Sequence, residues 1–181
     1  MSWGLAVDFA NTVACQACRC SDVLSDPETF TRWNRAHPEL PDVSATTALR
    51  GDLISLRRDV RAILERQAAK RPPTSASVGR LNRVLRTSST HWRAEFVERR
   101  WVLTEVPEGL SPTQEWRWRV ARATVDLLAG TLGGKLLKCR APTCDHFVVR
   151  RMRDQLWCSP ACGNRVRVAR HYERVRRRAA A

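Results

Sequence analysis

Four of the seven cysteines in this 181-residue chain fall between Cys139 and Cys162, in the stretch CRAPTCDHFVVRRMRDQLWCSPACGNR. Cys139 and Cys144 are separated by four residues, Cys158 and Cys162 by three, and thirteen lie between the pairs. Two close pairs joined by a spacer suit a tetrahedral metal centre. Each pair presents two sulfurs from one local turn, and the spacer folds between them. Zinc favours such an all-thiolate set, and the reading is one structural zinc held by Cys139, Cys144, Cys158 and Cys162. Four thiolates around a divalent ion leave a net double negative charge, which Lys138, Arg140, Arg151 and Arg153 partly offset. The alternative, four buried free cysteines, does not account for the pairing. His146 is a further ligand type within the block, but four sulfurs already complete the set.

The second pair carries its own folding instruction. In CSPAC, Ser159 is placed to cap a helix and Pro160 fits its first position. Cys158 then precedes the helix and Cys162 lies in its first turn, where free backbone N–H groups and the positive helix end favour thiolate. A first pair on a turn, a hairpin over residues 146–157 and a second pair at a helix start describe a treble-clef arrangement.

The helix continues to about Arg178. At about 100° per residue, Arg167, Arg170, Arg174, Arg177 and Arg178 fall within one arc. Val168, Tyr172 and Val175 gather on another side, giving one face fit to pack and one that is cationic. A solvated basic face is the plain alternative, but no acidic residue balances this arc. Guanidinium groups bind phosphate oxygens two at a time, so the arc reads as a nucleic-acid surface, for DNA first and RNA second. Charge distribution agrees. The chain carries a net +14, and residues 139–181 supply +8 of it in under a quarter of the length. Of its basic residues 29 are Arg and 3 are Lys, a bias that base composition alone can produce, so distribution outweighs the total. Arg165 projects away from the arc, towards the packed side, where a structural bond to Asp154 or to loop carbonyls is favoured over contact with DNA; Asn164 is open between the same two roles. Gly163 permits close packing beside the metal.

Upstream, Asp26, Pro27 and Glu28 open a short helix that ends before Pro38, with Phe30 and Trp33 on one face. Leu49, Leu53, Leu56, Val60 and Ile63 recur at helical spacing, predicting a helix from about 44 to 70. Val78, Leu81, Val84 and Leu85 mark another. Two apolar runs around ERR predict strands at 92–97 and 101–106, paired as a hairpin. Ser111 and Pro112 start a helix expected to end at Gly133 and Gly134. The segment around Leu5, Val7 and Phe9 fits a short strand or a buried helical turn.

The block from Cys144 onward resembles the CGNR zinc finger, whose name matches Cys162, Gly163, Asn164 and Arg165. AVDFANTV near the start is similar to the DFxNT signature of the ABATE domain, with which that finger is commonly joined. Together the two resemblances cover nearly the whole chain. They imply an α+β, mostly helical architecture: an α-rich N-terminal domain with a β-hairpin over residues 1–136, then the treble-clef-like finger with its basic helix over 137–181. They also imply a stress-induced transcription regulator that binds DNA. RNA binding, or a redox or protein-interaction module with a purely structural finger, remains the alternative. The N-terminal domain is expected to sense a small-molecule effector or to form a homodimer. Within the signature, Asp8, Asn11 and Thr12 either satisfy buried backbone or line a small-molecule pocket.

CQACRC adds Cys15, Cys18 and Cys20, which the resemblance does not cover. Structural cysteines, a reversible disulfide and half of a second metal site are all open, and the lack of a convincing fourth partner argues against metal. MSWGLAVDFANTV has no basic leader and does not read as a signal peptide. No apolar run approaches a membrane span. Cysteine-rich chains without an export signal are expected in the reducing cytoplasm. With no Gly-rich phosphate loop, HExxH or GxSxG, no catalytic residue is assigned and no enzyme activity is expected.

Overall fold

The computed structural model describes residues 3–16, 19–98 and 100–179. Its first helix, α1 (Trp3–Ala10), settles the ambiguous opening segment. Leu5, Ala6, Phe9 and Ala10 are all buried, and Val7 nearly so, leaving Asp8 as the exposed side chain of the last turn. An element apolar on almost every side belongs at the centre of a core, and α1 packs against both long helices.

A small hairpin follows, β1 (Val13–Gln16) and β2 (Arg19–Asp22), in which Cys15 lies opposite Cys20. Cys20 is disulfide-bonded, which removes its sulfur from any metal site. Cys18, and the side chain of Cys15, lie outside what is described. Helix α2 (Pro27–Arg35) starts as expected, with the Asp26 carboxylate accepting from the Thr29 N–H at 2.8 Å. Helix α3 (Thr47–Ala68) buries the whole predicted apolar stripe, and Thr46 caps it. Helix α4 (Ser75–Leu85) is capped by Thr74.

Strands β3 (Ser89–Val97) and β4 (Arg100–Glu108) form an antiparallel hairpin, longer than predicted, with Phe96 opposite Trp101. Helix α5 (Pro112–Ala129) opens with a full capping box between Ser111 and Gln114. It stops earlier than Gly133. The chain there makes a tight turn in which a Cβ on Gly133 would lie 2.8 Å from the Leu128 carbonyl oxygen, so only glycine fits. Trp116 of α5 is fully buried among Phe9, Phe30 and Trp33, and its indole N–H donates to Asn34 Oδ1 at 2.6 Å.

Strands β5 (Leu136–Lys138) and β6 (Phe147–Val149) pair antiparallel, and α6 (Pro160–Ala179) ends the fold. The hairpin expected within 146–157 is therefore displaced. Phe147–Val149 takes its partner from upstream of the first cysteine pair, and 151–157 holds no strand. The physical reason is burial: Leu136, Phe147 and Val149 enter the core of the helical domain, whereas the RRMRDQ segment offers no apolar face. The fold is thus α+β and mostly helical, with six helices among the described residues. No helix among them is long and apolar enough to cross a membrane.

Candidate metal centre

Cys139 leaves β5, Cys144 closes the loop that follows, Cys158 precedes α6 and Cys162 lies in its first turn. Their four Sγ atoms lie within 4.8 Å of one another. Cys144 and Cys158 are 3.7 Å apart, and Cys158 and Cys162 are 3.5 Å apart. A tetrahedron with Zn–S bonds of about 2.3 Å has edges of about 3.8 Å, so the four sulfurs fit one zinc ion. The backbone fixes this geometry on both sides. The Cys139 N–H donates to the His146 carbonyl at 2.8 Å, and the Arg140 N–H to the Leu156 carbonyl at 3.0 Å. Thr143 takes a left-handed conformation (φ 60°) that turns the chain back to Cys144. The N-cap holds as predicted: the Cys162 N–H donates to Ser159 Oγ at 3.2 Å.

The electrostatics are those of a metal-ready cluster. Burial pushes the Cys144 thiol up, and burial with its thiol neighbours pushes Cys158 up further. Burial opposes ionisation of Cys162 too, but hydrogen bonds from Ser159, Cys158 and Arg165 outweigh it and bring this thiol down to about 7. Zinc binds thiolate, so a divalent ion entering the cluster displaces the protons that burial otherwise favours on these sulfurs. Arg165 supplies a bond the sequence did not specify. It reaches neither Asp154 nor a carbonyl; three residues on from Cys162 along one helix face, its Nη2 donates to the Cys162 sulfur at 3.1 Å. Gly163 sits under Trp157, where a Cβ would approach the ring to 3.3 Å. His146 is outside the sulfur cluster, and its Nε2 is buried without a hydrogen-bond partner.

The signature residues divide. Asn11 pairs with β6 as a strand would: its Nδ2 donates to the Phe147 carbonyl at 2.9 Å and its Oδ1 accepts the Phe147 N–H at 2.8 Å. The Thr12 hydroxyl donates to the Phe9 carbonyl at 2.7 Å and accepts from Arg57 at 3.0 Å. Asp8 is exposed, 3.9 Å from His37. Asp8 and Asn11, but not Thr12, line a cleft of about 560 Å³ between α1 and the finger, closed on the far side by Cys158, Ser159 and Cys162.

Sequence reasoning passed over Arg57 and Arg61 on α3. Arg57 is buried and forms a fork–fork pair with Asp22, both contacts at 2.6 Å. Arg61 donates to the Ala10 carbonyl at 2.6 Å and to Asp145 at 2.9 Å, with its guanidinium over the Phe147 ring. The available signal was position: Arg57 stands four residues after Leu53 and three before Val60, on the buried stripe.

On α6 the five arginines of the arc, Arg167, Arg170, Arg174, Arg177 and Arg178, are all exposed. None forms a salt bridge among the described residues. The face expected to pack does not. Val168, Tyr172 and Val175 are exposed, because the helix is held at Cys162, Gly163 and Val166 and leaves the body beyond them.

A helical domain that holds the hairpin of a four-cysteine zinc finger in its own core defines the class: a zinc-binding protein whose finger ends in a free basic helix. The family comparisons narrow this. Residues 4–131 match the ABATE model, described as "Putative stress-induced transcription regulator", and residues 135–175 match the CGNR zinc finger. The chain belongs to the ABATE family and carries a CGNR zinc finger at its C-terminal end. No curated protein matches it.

Proposed function

We propose that this protein is a DNA-binding transcription regulator, not an enzyme, whose contact with phosphate is made by α6. The observation that carries the reading is the exposed arginine arc without salt bridges, on a helix whose base is held by the metal centre. Residues 167–178 span about 17 Å of helix axis, and a B-form major groove admits one helix. Zinc is structural in this scheme: it fixes the first turn of α6 and so aims the remainder. Phosphate contacts position a protein on a duplex and do not read sequence. The cleft beside Asp8 and Asn11 is the seat for a small effector, because its walls join α1 to the base of α6.

Each phosphate contact releases condensed counterion, so log affinity falls with log salt at about −0.9 per contact on duplex DNA. If about three of the five arginines touch phosphate, replacing all five by Ala flattens the slope by about 2 to 3 units. Zinc content must be unchanged in that variant. An unaltered slope would leave α6 as a solvated face. Competition by RNA that exceeds competition by duplex DNA would shift the reading to RNA.

A further inference from the structure

The β3–β4 hairpin stands out from the body as a two-stranded sheet with both outer edges unpaired. Its register places Trp92, Ala94 and Phe96 on the same face as Glu105, Leu103 and Trp101. That face holds the four most exposed large apolar residues of the hairpin: Trp92 (61%), Phe96 (60%), Trp101 (76%) and Leu103 (63%). The opposite face is mixed and carries no aromatic ring: His91, Arg93, Glu95, Arg100 and Thr104 stand beside the smaller Val97, Val102 and Val106. The arrangement is inverted relative to ordinary packing, since the apolar side of an amphipathic hairpin lies open to water.

Two-stranded hairpins are marginal alone and gain stability when an apolar face is covered. Phe96 and Trp101 pack across the strands with ring centroids 5.2 Å apart, and Glu105 ties the base to Arg122 of α5. Neither contact covers the face. We infer that the cover is a second copy of this chain, the two hairpins packing face to face about a two-fold axis.

Two features favour self-association. One is charge. Residues 89–108 carry three arginines and four glutamates, a net of −1 in a chain of net +14. Two strongly cationic molecules repel almost everywhere else, and a nucleic-acid partner is attracted almost everywhere else. The other is area. Scaling the usual side-chain areas of aromatic residues by these exposures gives on the order of 500 Å² per copy. The pair then buries about 1,000 Å², the lower bound for a specific interface. An isologous contact uses one patch twice, and this patch needs no other partner to be complete. The inference does not rest on nucleic-acid binding, and its test contains none.

The test is sedimentation equilibrium of the full, zinc-loaded chain over a dilution series. The expected mass is twice 20.6 kDa, falling towards the single-chain value on dilution. Trp101→Glu and, separately, Leu103→Lys should give the single-chain mass, with zinc content and far-ultraviolet circular dichroism unchanged because both side chains are exposed. Val102→Lys, on the other face, should leave the dimer intact. A wild-type protein that stays at 20.6 kDa at the highest concentration overturns the proposal. So does a dimer that survives both Trp101→Glu and Leu103→Lys, or one broken by Val102→Lys alone.

Discussion

Asn11→Ala removes the clip between the signature and the finger. Two hydrogen bonds to the Phe147 backbone are lost, at 2.8 and 2.9 Å. Each contributes about 1 kcal/mol net, and the half-buried N–H and carbonyl left behind add part of a desolvation penalty of about 1–3 kcal/mol each. The total loss is about 2–3 kcal/mol, set against a control, Asp8→Ala, whose side chain is exposed and whose cost should stay within about 0.5 kcal/mol. Urea unfolding of the zinc-loaded protein reads both. With a slope of about 2 kcal/mol per molar urea, the Asn11→Ala midpoint falls by about 1–1.5 M. A second readout follows by linkage, because zinc binds the folded hairpin: a loss of about 2 kcal/mol in docking weakens zinc affinity by up to about 30-fold. An Asn11→Ala midpoint no lower than that of Asp8→Ala would refute the clip and return Asn11 to the cleft as a ligand residue.

Three further outcomes are expected. Replacing any one of Cys139, Cys144, Cys158 or Cys162 by Ser should abolish the single equivalent of zinc and the tetrahedral thiolate spectrum of the cobalt(II)-substituted protein, and should release α6. NMR signals of β5 and β6 should persist, since Leu136, Phe147 and Val149 are held by the helical core; zinc still stoichiometric in these variants would disprove the ligand set. For Asp22, burial raises the carboxyl but the Arg57 guanidinium outweighs it and holds it below the usual carboxylate range. Its contribution to stability is therefore present above an unfolded value of about 3.9 and is lost as pH falls through the lower folded value, so the gap between wild type and Asp22→Asn should close only below about pH 4. His37 is raised, mainly by Asp8 and against burial, with help from the Trp33 carbonyl. Its contribution is present below about pH 6.5 and lost as pH rises through the folded value; Asp8→Asn should lower the imidazole titration seen by NMR, and an unmoved titration would remove Asp8 as the cause.

What the sequence revealed was local chemistry. Asp26, Ser111 and Ser159 announce helix starts because a cap needs only its own next three residues. The cysteine spacing announces the metal set for the same reason. Helix α1 was not legible, since eight residues apolar on nearly all sides satisfy a strand or a helix equally. Strand β5 was missed because a three-residue strand is chosen by its partner, and the choice depended on which side chains the helical core could bury. The stripe on α6 was seen correctly, but periodicity cannot say whether a neighbour exists to cover it. Asn11 finds its partner 136 residues away, and no spacing rule reaches that far.

The stretch from Cys144 to Phe147 shows how tightly the two family segments are joined. Cys144 supplies a sulfur; Asp145 holds Arg61 through its carboxylate and carbonyl; the His146 carbonyl fixes the Cys139 amide; and Phe147 is clipped by Asn11 and buried beneath the Arg61 guanidinium. Successive residues thus serve the metal and the helical domain in turn. A shift of α1 or α3 would therefore be felt at the sulfur cluster, although the helical core itself holds β6. Because Asp8, Asn11, Cys158 and Cys162 wall the same cleft, a molecule lodged there meets both partners at once. Its leverage on α6 equals the difference between its affinities for the docked and undocked arrangements, and tightness of binding alone would move nothing.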